Sequence, residues 1–219
     1  MKEEVVVFDM DGTLFSNDST KSWITKSLKS NKLRFSGAVL VMPLAVPLMK
    51  IKKYKSIGAS LFLWVATLKM SEESLKESFR KFSLDVKDQN VSDVEWFKDA
   101  INELNNHIES GRKVIVVTAA PEILAQELLE SIGIHVTVIG TPLRKKFNGW
   151  IGGKHCRHNE KVRRLKLIGI NGPWHATYSD NIEDDYPILK NCKYSFLINS
   201  DDKHSPDYKL NNLKKLKWF

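Results

Sequence analysis

Five short runs of apolar and β-branched residues are spaced along the chain, with helical patterns between the later ones. The runs are Val5–Phe8, Val114–Thr118, Val136–Ile139, Ala176–Ser179 and Phe196–Asn199. Apolar positions recur at helical spacing in Glu122–Ile132, and Glu160–Leu167 is also predicted to be helical. Strands that alternate with helices form a mostly parallel sheet, buried on both faces. The sequence therefore predicts a doubly wound α/β fold, in which ligands bind at the carboxyl ends of the strands.

The composition is typical of a folded protein with reduced cysteines. Of the 219 residues, 42% are apolar and 27% are charged, which argues against a disordered or collagen-like chain. A chain of this length can bury a core without disulfides, and Cys156 and Cys192 fit a reducing compartment. The acidic, strand-like start does not resemble a secretory signal, so we expect a location on the cytoplasmic side.

Residues 16–110 lack the alternation of strands and helices. The segment Ser71-Glu72-Glu73-Ser74 predicts a helix start, and Val91–Ile108 is predicted to form another helix. Because this region follows the first strand, we expect a helical cap over that strand's end. The core would then consist of residues 1–15 and 111–219.

The positive charge of the chain is concentrated in the predicted cap. The chain has 34 Lys and Arg against 26 Asp and Glu, a formal net charge of +8, and residues 19–71 contain ten basic residues and no acidic one. Two uncharged stretches lie there, Phe35–Met49 with two prolines and Ser56–Leu68. Fifteen helical residues extend about 22 Å against a hydrocarbon core of about 30 Å, and the prolines predict a kink. With lysines on both sides, residues 35–68 are predicted to dip into one leaflet of an anionic membrane.

Other interpretations of these segments stay open. An ordinary helical bundle with solvated lysines explains the same cap pattern. The tail Lys209–Phe219 has leucines at helical spacing among lysines, which favours either an interfacial helix that binds the anionic membrane or a frayed terminus. The Asn-Gly and Gly-Gly pairs of Thr141–Gly153 predict a β-hairpin.

Two carboxylates, Asp9 and Asp11, follow the first predicted strand. A loop that begins there lets both side chains reach one pocket, and Gly12 permits the tight backbone this needs. Two close carboxylates repel each other, and a divalent cation neutralises them. Mg²⁺ prefers one or two carboxylates plus water and substrate phosphate, so the sequence predicts a magnesium site.

Other polar groups stand at matching positions. Asp180 follows the fourth apolar run, and the acidic segment it begins lacks the glycine of a calcium loop. Thr118 ends the second run, and with the Ala119 N–H it precedes a helix start, where oxyanions bind. Lys161, near the start of a predicted helix, can supply a fixed positive charge. In this order the groups predict a phosphoryl-transfer site.

Four segments resemble the four motifs of the haloacid dehalogenase-like phosphatases, in the branch with a helical cap after the first motif. They are FDMDGTL, VIVVTAAPE, HNEK and YSDNIEDDYPIL. The resemblance implies that Asp9 attacks phosphorus and forms an aspartyl phosphate. It also implies that Asp11 protonates the leaving alkoxide and then activates water. The family often has a glycine where this chain has Ala119.

The same resemblance implies two ligand sets. Mg²⁺ would be held by Asp9, the Met10 carbonyl and Asp180, and the metal-binding residues would also include Asp11 and Asp184. The phosphoryl oxygens would be bound by Thr118, Ala119 and Lys161.

Neighbouring charged residues are interpreted as ordinary. Glu183 and Asp185 are predicted to be solvated. His155, Arg157 and His158 are interpreted as loop residues, although they could meet a phosphate. His155, Cys156 and His158 supply only three of the four ligands that a structural zinc site needs, and their spacing is cramped, so zinc is not expected.

A narrower resemblance concerns the substrate. The segments VLVMPLAVPLMKIKK, SLFLWVATLKMSEESL and NGWIGGKHCRHNEKV resemble the membrane-associated C-type phosphatidylglycerophosphatases of Gram-negative bacteria. That resemblance implies a substrate of phosphatidylglycerol phosphate at the inner membrane. The alternatives are a soluble phosphatase for a small phosphomonoester such as phosphoserine, and a non-catalytic module that binds anionic lipid. Nucleic acid is not an expected partner, because the basic segment lacks aromatics interleaved with arginines.

Overall fold

The computed structural model describes residues 4–200, residue 210 and residues 212–219. Its strands are β1 (Val5–Phe8), β2 (Lys113–Pro121), β3 (Thr137–Thr141), β4 (Leu143–Lys146), β5 (Gly149–Gly152), β6 (Trp174–Ser179), β7 (Cys192–Ile198) and β8 (Leu213–Leu216). Its α-helices are α1 (Ser19–Lys29), α2 (Lys32–Lys50), α3 (Lys55–Ala66), α4 (Glu72–Lys87), α5 (Lys98–Glu109), α6 (Glu122–Ser131), α7 (Asn159–Leu167) and α8 (Ile182–Lys190). A short 3₁₀ turn, Lys52–Tyr54, joins α2 to α3.

Six strands form one parallel sheet in the order β3-β2-β1-β6-β7-β8. The central strand β1 pairs with β2 on one side and β6 on the other, with Val6 opposite Val114 and Ala176. The prediction of a doubly wound parallel sheet is confirmed. The hairpin predicted in Thr141–Gly153 is also present, as β4 and β5. The carboxyl ends of β1, β2 and β6 meet at one edge of the sheet.

Apolar side chains of β1 point alternately to two cores, because successive residues of a strand face opposite sides. Val6 and Phe8 lie in the larger core, with buried residues of α4, α5 and α6. Val7 lies in the second core, with Leu165 of α7 and Ile188 of α8. Both faces of the sheet are therefore covered by helices, which explains why the strands are apolar on both sides.

The C-terminal tail corrects one prediction. Leu213–Leu216 forms a strand that pairs with β7, not an interfacial helix, and Lys209 lies outside the described residues. Trp218 is buried, and its ring lies 5.6 Å from that of Tyr178. The Trp218 N–H also donates to Asn199 Oδ1 at 2.8 Å. The edge of β7 offers unpaired backbone groups, and pairing with them satisfies the tail better than a solvated helix would.

The segment before α5 corrects a second prediction. The helix begins at Lys98 and not at Val91. Residues 95–97 instead bond to the loop after β1: the Ser16 N–H donates to the Glu95 carbonyl, and the Phe97 N–H donates to the Leu14 carbonyl. The predicted start of α4 is confirmed, since the Ser71 hydroxyl accepts from the Ser74 N–H.

The helices between β1 and β2 fall into two groups. Helix α5 packs against β2, and α4 packs against α6, which itself packs against β2 and β3. Helices α1, α2 and α3 pack against one another, and α3 also contacts β5. The division of the chain into cap and core at residues 16 and 110 stays a prediction.

Helix α2 is continuous through Pro43 and Pro47 and is about 28 Å long at 1.5 Å per residue. Among the described helices it alone is long and apolar enough to cross a membrane, judged by length and composition only. Only 11% of its apolar window is buried, and Leu33 and Leu40 are 85% and 81% exposed. Helix α2 therefore presents a large apolar surface that nothing in the described chain covers.

Candidate active site

A cavity of about 140 Å³ opens at the carboxyl ends of β1, β2 and β6. We call it the acidic cavity. Its lining residues are Asp9, Asp11, Asp18, Thr118, Ala119, Arg157, Lys161, Asp180, Asn181, Asp184 and Asp185. The structure thus brings together every site residue predicted from the sequence except Met10.

Lys161 and Asp9 form an ion pair at the bottom of this cavity. The Lys161 ammonium nitrogen lies 2.6 Å from Asp9 Oδ1 and 2.7 Å from Asp185 Oδ1, and all three side chains are buried. Burial raises the pKa of Asp9 well above its usual range, and Lys161 opposes that rise. Burial disfavours the charged form of Lys161, but Asp185 and Asp9 outweigh it and raise the pKa of Lys161. The ammonium group therefore stays charged between two carboxylates.

Asp185 corrects a further prediction, because it is not solvated. Its side chain is 1% exposed, and Oδ2 accepts from the Ser179 hydroxyl at 2.7 Å. It lies on the first turn of α8, and the side chain of Asn181, the residue that caps this helix, accepts from the Asp184 N–H. The helix turns Asp185 towards Lys161 and leaves Asp184 at the cavity mouth.

Asp11 is held by the start of α1. Its Oδ1 accepts from the Ser19 N–H at 3.1 Å. Burial, followed by repulsion from Asp18, raises the pKa of Asp11 to about 7. A carboxyl group with this pKa can give up and regain a proton near neutral pH, as a general acid and base requires.

Gly12 allows the loop after β1 to approach Asp180. Its φ is +80°, and a Cβ at this position would clash with Asp180 Oδ2. The Thr13 hydroxyl also accepts from the Asp180 N–H at 2.9 Å. Burial, and then repulsion from Asp185, raises the pKa of Asp180 to about 6. The Asp180 carboxylate is thus fixed against the loop that carries Asp9.

The Met10 carbonyl does not fit its predicted role as a metal ligand. Its oxygen accepts backbone N–H groups from Thr13, Leu14 and Phe15 at 3.1, 2.8 and 3.0 Å. The Met10 side chain is fully buried in the core. The turn after β1 uses this oxygen as the acceptor for its own backbone N–H groups, because buried backbone donors need partners.

The donor set of the cavity fits a divalent cation. Six aspartates line it, against the two basic residues Lys161 and Arg157. Since Lys161 is already shared by Asp9 and Asp185, the Asp180 carboxylate lacks a basic partner of its own within hydrogen-bond distance in the described chain. The described residues contain no ready-made cage of three or more acidic, imidazole or thiolate ligands. Mg²⁺ suits such a site, because it takes one or two carboxylates and completes its shell with water and phosphate oxygens.

Thr118 and Ala119 form the opposite wall. Strand β2 runs past Thr118 to Pro121, with an irregular register against β3 between Val117 and Pro121. The Thr118 hydroxyl is buried and accepts from the Ala120 N–H at 3.1 Å. The Thr118 hydroxyl can therefore still donate its hydrogen to a ligand, and α6 begins just after Pro121. This wall suits an oxyanion, because both features supply hydrogen-bond donors.

Arg157, which is interpreted from the sequence as an ordinary loop residue, belongs to the site, and Asp18 and Asn181 also line the cavity without having been predicted. Arg157 lines the acidic cavity, its Nη1 lies 3.5 Å from Asp184 Oδ2, and its buried Nε has no hydrogen-bond partner. Its position four residues before Lys161 was the available signal. Arg157 lies between the glycine-rich β4–β5 hairpin and Lys161, and this position favours a role in the site over that of an ordinary loop residue.

The chain is similar to several known proteins in sequence or in fold. Protein CicA of Caulobacter vibrioides is 26% identical over 188 residues, which cover 82% of this chain and 79% of that protein. A protein of unknown function from Bordetella pertussis Tohama I has a similar structure, with a TM-score of 0.69, 19% identity and 92% of each chain covered. A phosphoserine phosphatase, described as a phospho-aspartyl intermediate analogue, has a TM-score of 0.55 at 16% identity, over 91% of this chain and 88% of that one.

The sequence pattern of one family covers most of the chain. It matches residues 6–190, which include β1 with Asp9 and α8 with Asp185. This match spans all the strands that carry the acidic cavity. The chain belongs to the family of haloacid dehalogenase-like hydrolases.

Proposed function

We propose that the protein is a phosphatase in which Asp9 is the nucleophile. The observation that carries the proposal is the contact of Lys161 Nζ with Asp9 Oδ1 at 2.6 Å, in a cavity that also contains Asp11. The ammonium group favours the ionised form of Asp9, which is the nucleophilic form, against the effect of burial. It also offsets the negative charge of an incoming phosphate.

The reaction takes place in two steps. First, an Asp9 oxygen attacks phosphorus, the bond from phosphorus to the ester oxygen breaks, and Asp11 gives its proton to the leaving alkoxide. Then water attacks the aspartyl phosphate, Asp11 takes a proton from that water, and phosphate leaves while Asp9 is regenerated. The pKa of about 7 suits Asp11 to both transfers.

The remaining cavity residues bind the phosphoryl group and the metal ion and orient them for the reaction. Thr118 and Ala119 face the phosphoryl oxygens together with Lys161. Asp9 and Asp180 would hold Mg²⁺, with Asp184 beside them, and the ion would neutralise charge on the phosphoryl group. The close approach of Asp180 to Gly12 supports this placement.

We further propose that the substrate is phosphatidylglycerol phosphate, hydrolysed at the cytoplasmic side of the bacterial inner membrane. The exposed apolar surface of α2 supports a site at a lipid surface, since monomeric soluble proteins rarely expose so large a continuous apolar patch. Lysines flank α2 and α3. Each lysine that lies near anionic headgroups would contribute about 1 kcal/mol to membrane binding.

A soluble phosphatase for a small phosphomonoester is the second candidate. The fold similarity to phosphoserine phosphatase favours it. In that case the α2 surface would be covered by something other than lipid, and the purified protein would stay in solution with no detergent at moderate salt. A protein that sediments with membranes under these conditions favours the lipid substrate.

The test compares substrates and one variant. Purified protein with Mg²⁺ is incubated in parallel with phosphatidylglycerol phosphate, phosphatidic acid and phosphoserine, and phosphate release is measured. We expect phosphatidylglycerol phosphate to react fastest, and Asp9→Asn to abolish release from every substrate. Fastest release from phosphoserine would favour the soluble phosphatase. If Asp9→Asn instead retains the cellular function of the protein, a non-catalytic lipid-binding module is the better explanation.

A further inference from the structure

Two more cavities continue from the acidic cavity towards the surface. The first, of about 110 Å³, shares Asp11, Ala119 and Arg157 with the acidic cavity. We call it the middle cavity. The second, of about 550 Å³, lies between α3 and the β4–β5 hairpin and shares Ser60 and His155 with the middle cavity. We call it the apolar groove. The three cavities therefore lie next to one another in a row, which we call the path.

Basic side chains mark the two junctions of this path. Arg157 lies between the acidic and the middle cavity, and His155 lies between the middle cavity and the apolar groove. The nitrogens Arg157 Nε and His155 Nε2 are both buried without a hydrogen-bond partner. Buried polar atoms normally have partners, so both nitrogens are available to donate a hydrogen bond to a ligand.

The backbone at Gly152 passes close to both His155 and Ser60. A Cβ on Gly152 would lie 3.0 Å from His155 Nε2 and 3.5 Å from Ser60 Oγ. Both polar atoms therefore face the same bare stretch of backbone. Burial, followed by repulsion from Arg157, lowers the pKa of His155. An anion between the two side chains would pair with Arg157 and remove that repulsion.

The apolar groove indicates which kind of group is attached to the anion. Its walls include Ile57, Leu61, Trp64, Phe147 and Ile151, and Phe147 is 80% exposed at the hairpin turn. A carboxylate ends a molecule, whereas a phosphodiester has a second ester arm that continues. A phosphodiester between Arg157 and His155 would direct its second arm into this groove.

We infer that Arg157 and His155 bind a phosphodiester of the substrate, with its acyl chain in the apolar groove and its terminal phosphomonoester at Asp9. This inference rests on the proposed phosphatase function. It adds that the middle cavity selects substrates with a second phosphate, one short linker away from the phosphate that is removed. Arg157 and His155 are then specificity-determining residues.

Two water-soluble lipids distinguish the effect of the second phosphate on kcat/KM from the effect of the acyl chains. Dioctanoyl phosphatidylglycerol phosphate contains the phosphodiester, and dioctanoyl phosphatidic acid has the same chains and a monoester but no diester. We expect the wild type to prefer the first in kcat/KM. We expect His155→Ala and Arg157→Met each to lower the ratio of the two kcat/KM values at least about tenfold, because each removes a hydrogen bond to a charged group.

The matched control is Lys166→Gln, which removes a positive charge from an exposed position on α7. We expect it to leave the ratio unchanged. A wild type that does not distinguish the two lipids, or variants that leave the ratio unchanged, would overturn the inference. So would a fall in kcat/KM that is larger for phosphoserine than for dioctanoyl phosphatidylglycerol phosphate in His155→Ala, since it would assign the second anion to a carboxylate.

Inhibition of the wild type gives a test that needs no variant. Hydrolysis of p-nitrophenyl phosphate reports on the acidic cavity alone. We expect dioctanoyl phosphatidylglycerol, which contains a phosphodiester, to compete with it at least about tenfold better than dioctanoylglycerol. Equal inhibition overturns the inference. A different result would contradict the proposed function itself. That result is an Asp9→Asn variant that hydrolyses p-nitrophenyl phosphate as fast as the wild type does.

Discussion

Lys161 and Asp185 form a buried ion pair between the first turns of α7 and α8, with Nζ 2.7 Å from Oδ1. The same nitrogen contacts Asp9 at the end of β1. One cation therefore ties two helices to the strand that carries the nucleophile. The arrangement holds a charged lysine in a cavity that is lined by six aspartates and by Arg157.

Substitution of Asp185 tests the structural part of this pair. Asp185→Asn leaves Lys161 without one of its two carboxylates, and removal of one partner of a buried pair costs about 3–5 kcal/mol. Because Asp9 remains, we expect the lower end of that range for the free energy of unfolding, measured by urea denaturation. The exposed Asp88→Asn at the end of α4 is the control, with an expected change within about 0.5 kcal/mol. Equal effects of the two substitutions would contradict the role of Asp185.

Substitution of Asp9 tests the nucleophile. We expect Asp9→Asn to lower kcat for p-nitrophenyl phosphate at least about a thousandfold, because the amide cannot form the acyl phosphate. Borohydride reduction of wild-type protein quenched during turnover is expected to modify residue 9, as detected by mass spectrometry. Modification of a different aspartate would assign the nucleophile elsewhere.

The raised pKa of Asp11 predicts how stability depends on pH. The folded value of about 7 lies above the usual 3.8, so folding favours the protonated form. Its contribution to stability is complete below about pH 4 and is lost as pH rises through about 7. In Asp11→Asn and without divalent cations, we expect the urea midpoint to fall less between pH 4.5 and pH 7.5 than in the wild type. Parallel curves for the two proteins would mean that Asp11 titrates normally.

Substitution of Gly12 separates backbone strain from contact with Asp180. Gly12 and Gly133 have φ angles of +80° and +81°, but only Gly12 would place a Cβ against a neighbour, Asp180 Oδ2. We expect both alanine variants to lose about 1 kcal/mol or more of stability from the backbone. Only Gly12→Ala is expected to raise the Mg²⁺ concentration needed for half-maximal activity. A similar rise in Gly133→Ala would argue against a metal held by Asp180.

Substitution of an exposed leucine tests membrane binding by α2. Leu40 on α2 and Leu167 on α7 are 81% and 69% exposed. We expect Leu40→Asp to weaken binding to phosphatidylglycerol vesicles at least about tenfold in a flotation assay, since a buried leucine contributes about 1.5–3 kcal/mol. Leu167→Asp is the matched control and is expected to bind as the wild type does. Identical binding of both variants would place the lipid contact elsewhere.

The parallel sheet and most of the site could be predicted from the sequence, because both depend on local pattern. A buried parallel strand must be a continuous apolar run, and the residue after it must lie at the ligand-binding edge. Asp9 and Asp180 each follow such a run and Thr118 ends one, so the sequence alone predicts that the three residues lie at the same edge of the sheet. The position of Lys161 could also be predicted, because it depends only on where the helix after the hairpin begins.

Features that depend on distant partners were decided by the tertiary structure alone. Asp185 stands in an acidic segment that looks solvated, and only the packing of α8 beside α7 turns it towards Lys161. The tail has helical spacing, yet the open edge of β7 makes it a strand. The Met10 carbonyl is consumed by its own turn, and Arg157 reaches the cavity only because the hairpin ends beside it. Period and spacing describe a residue's own element, whereas burial and hydrogen-bond partners come from whichever element packs against it.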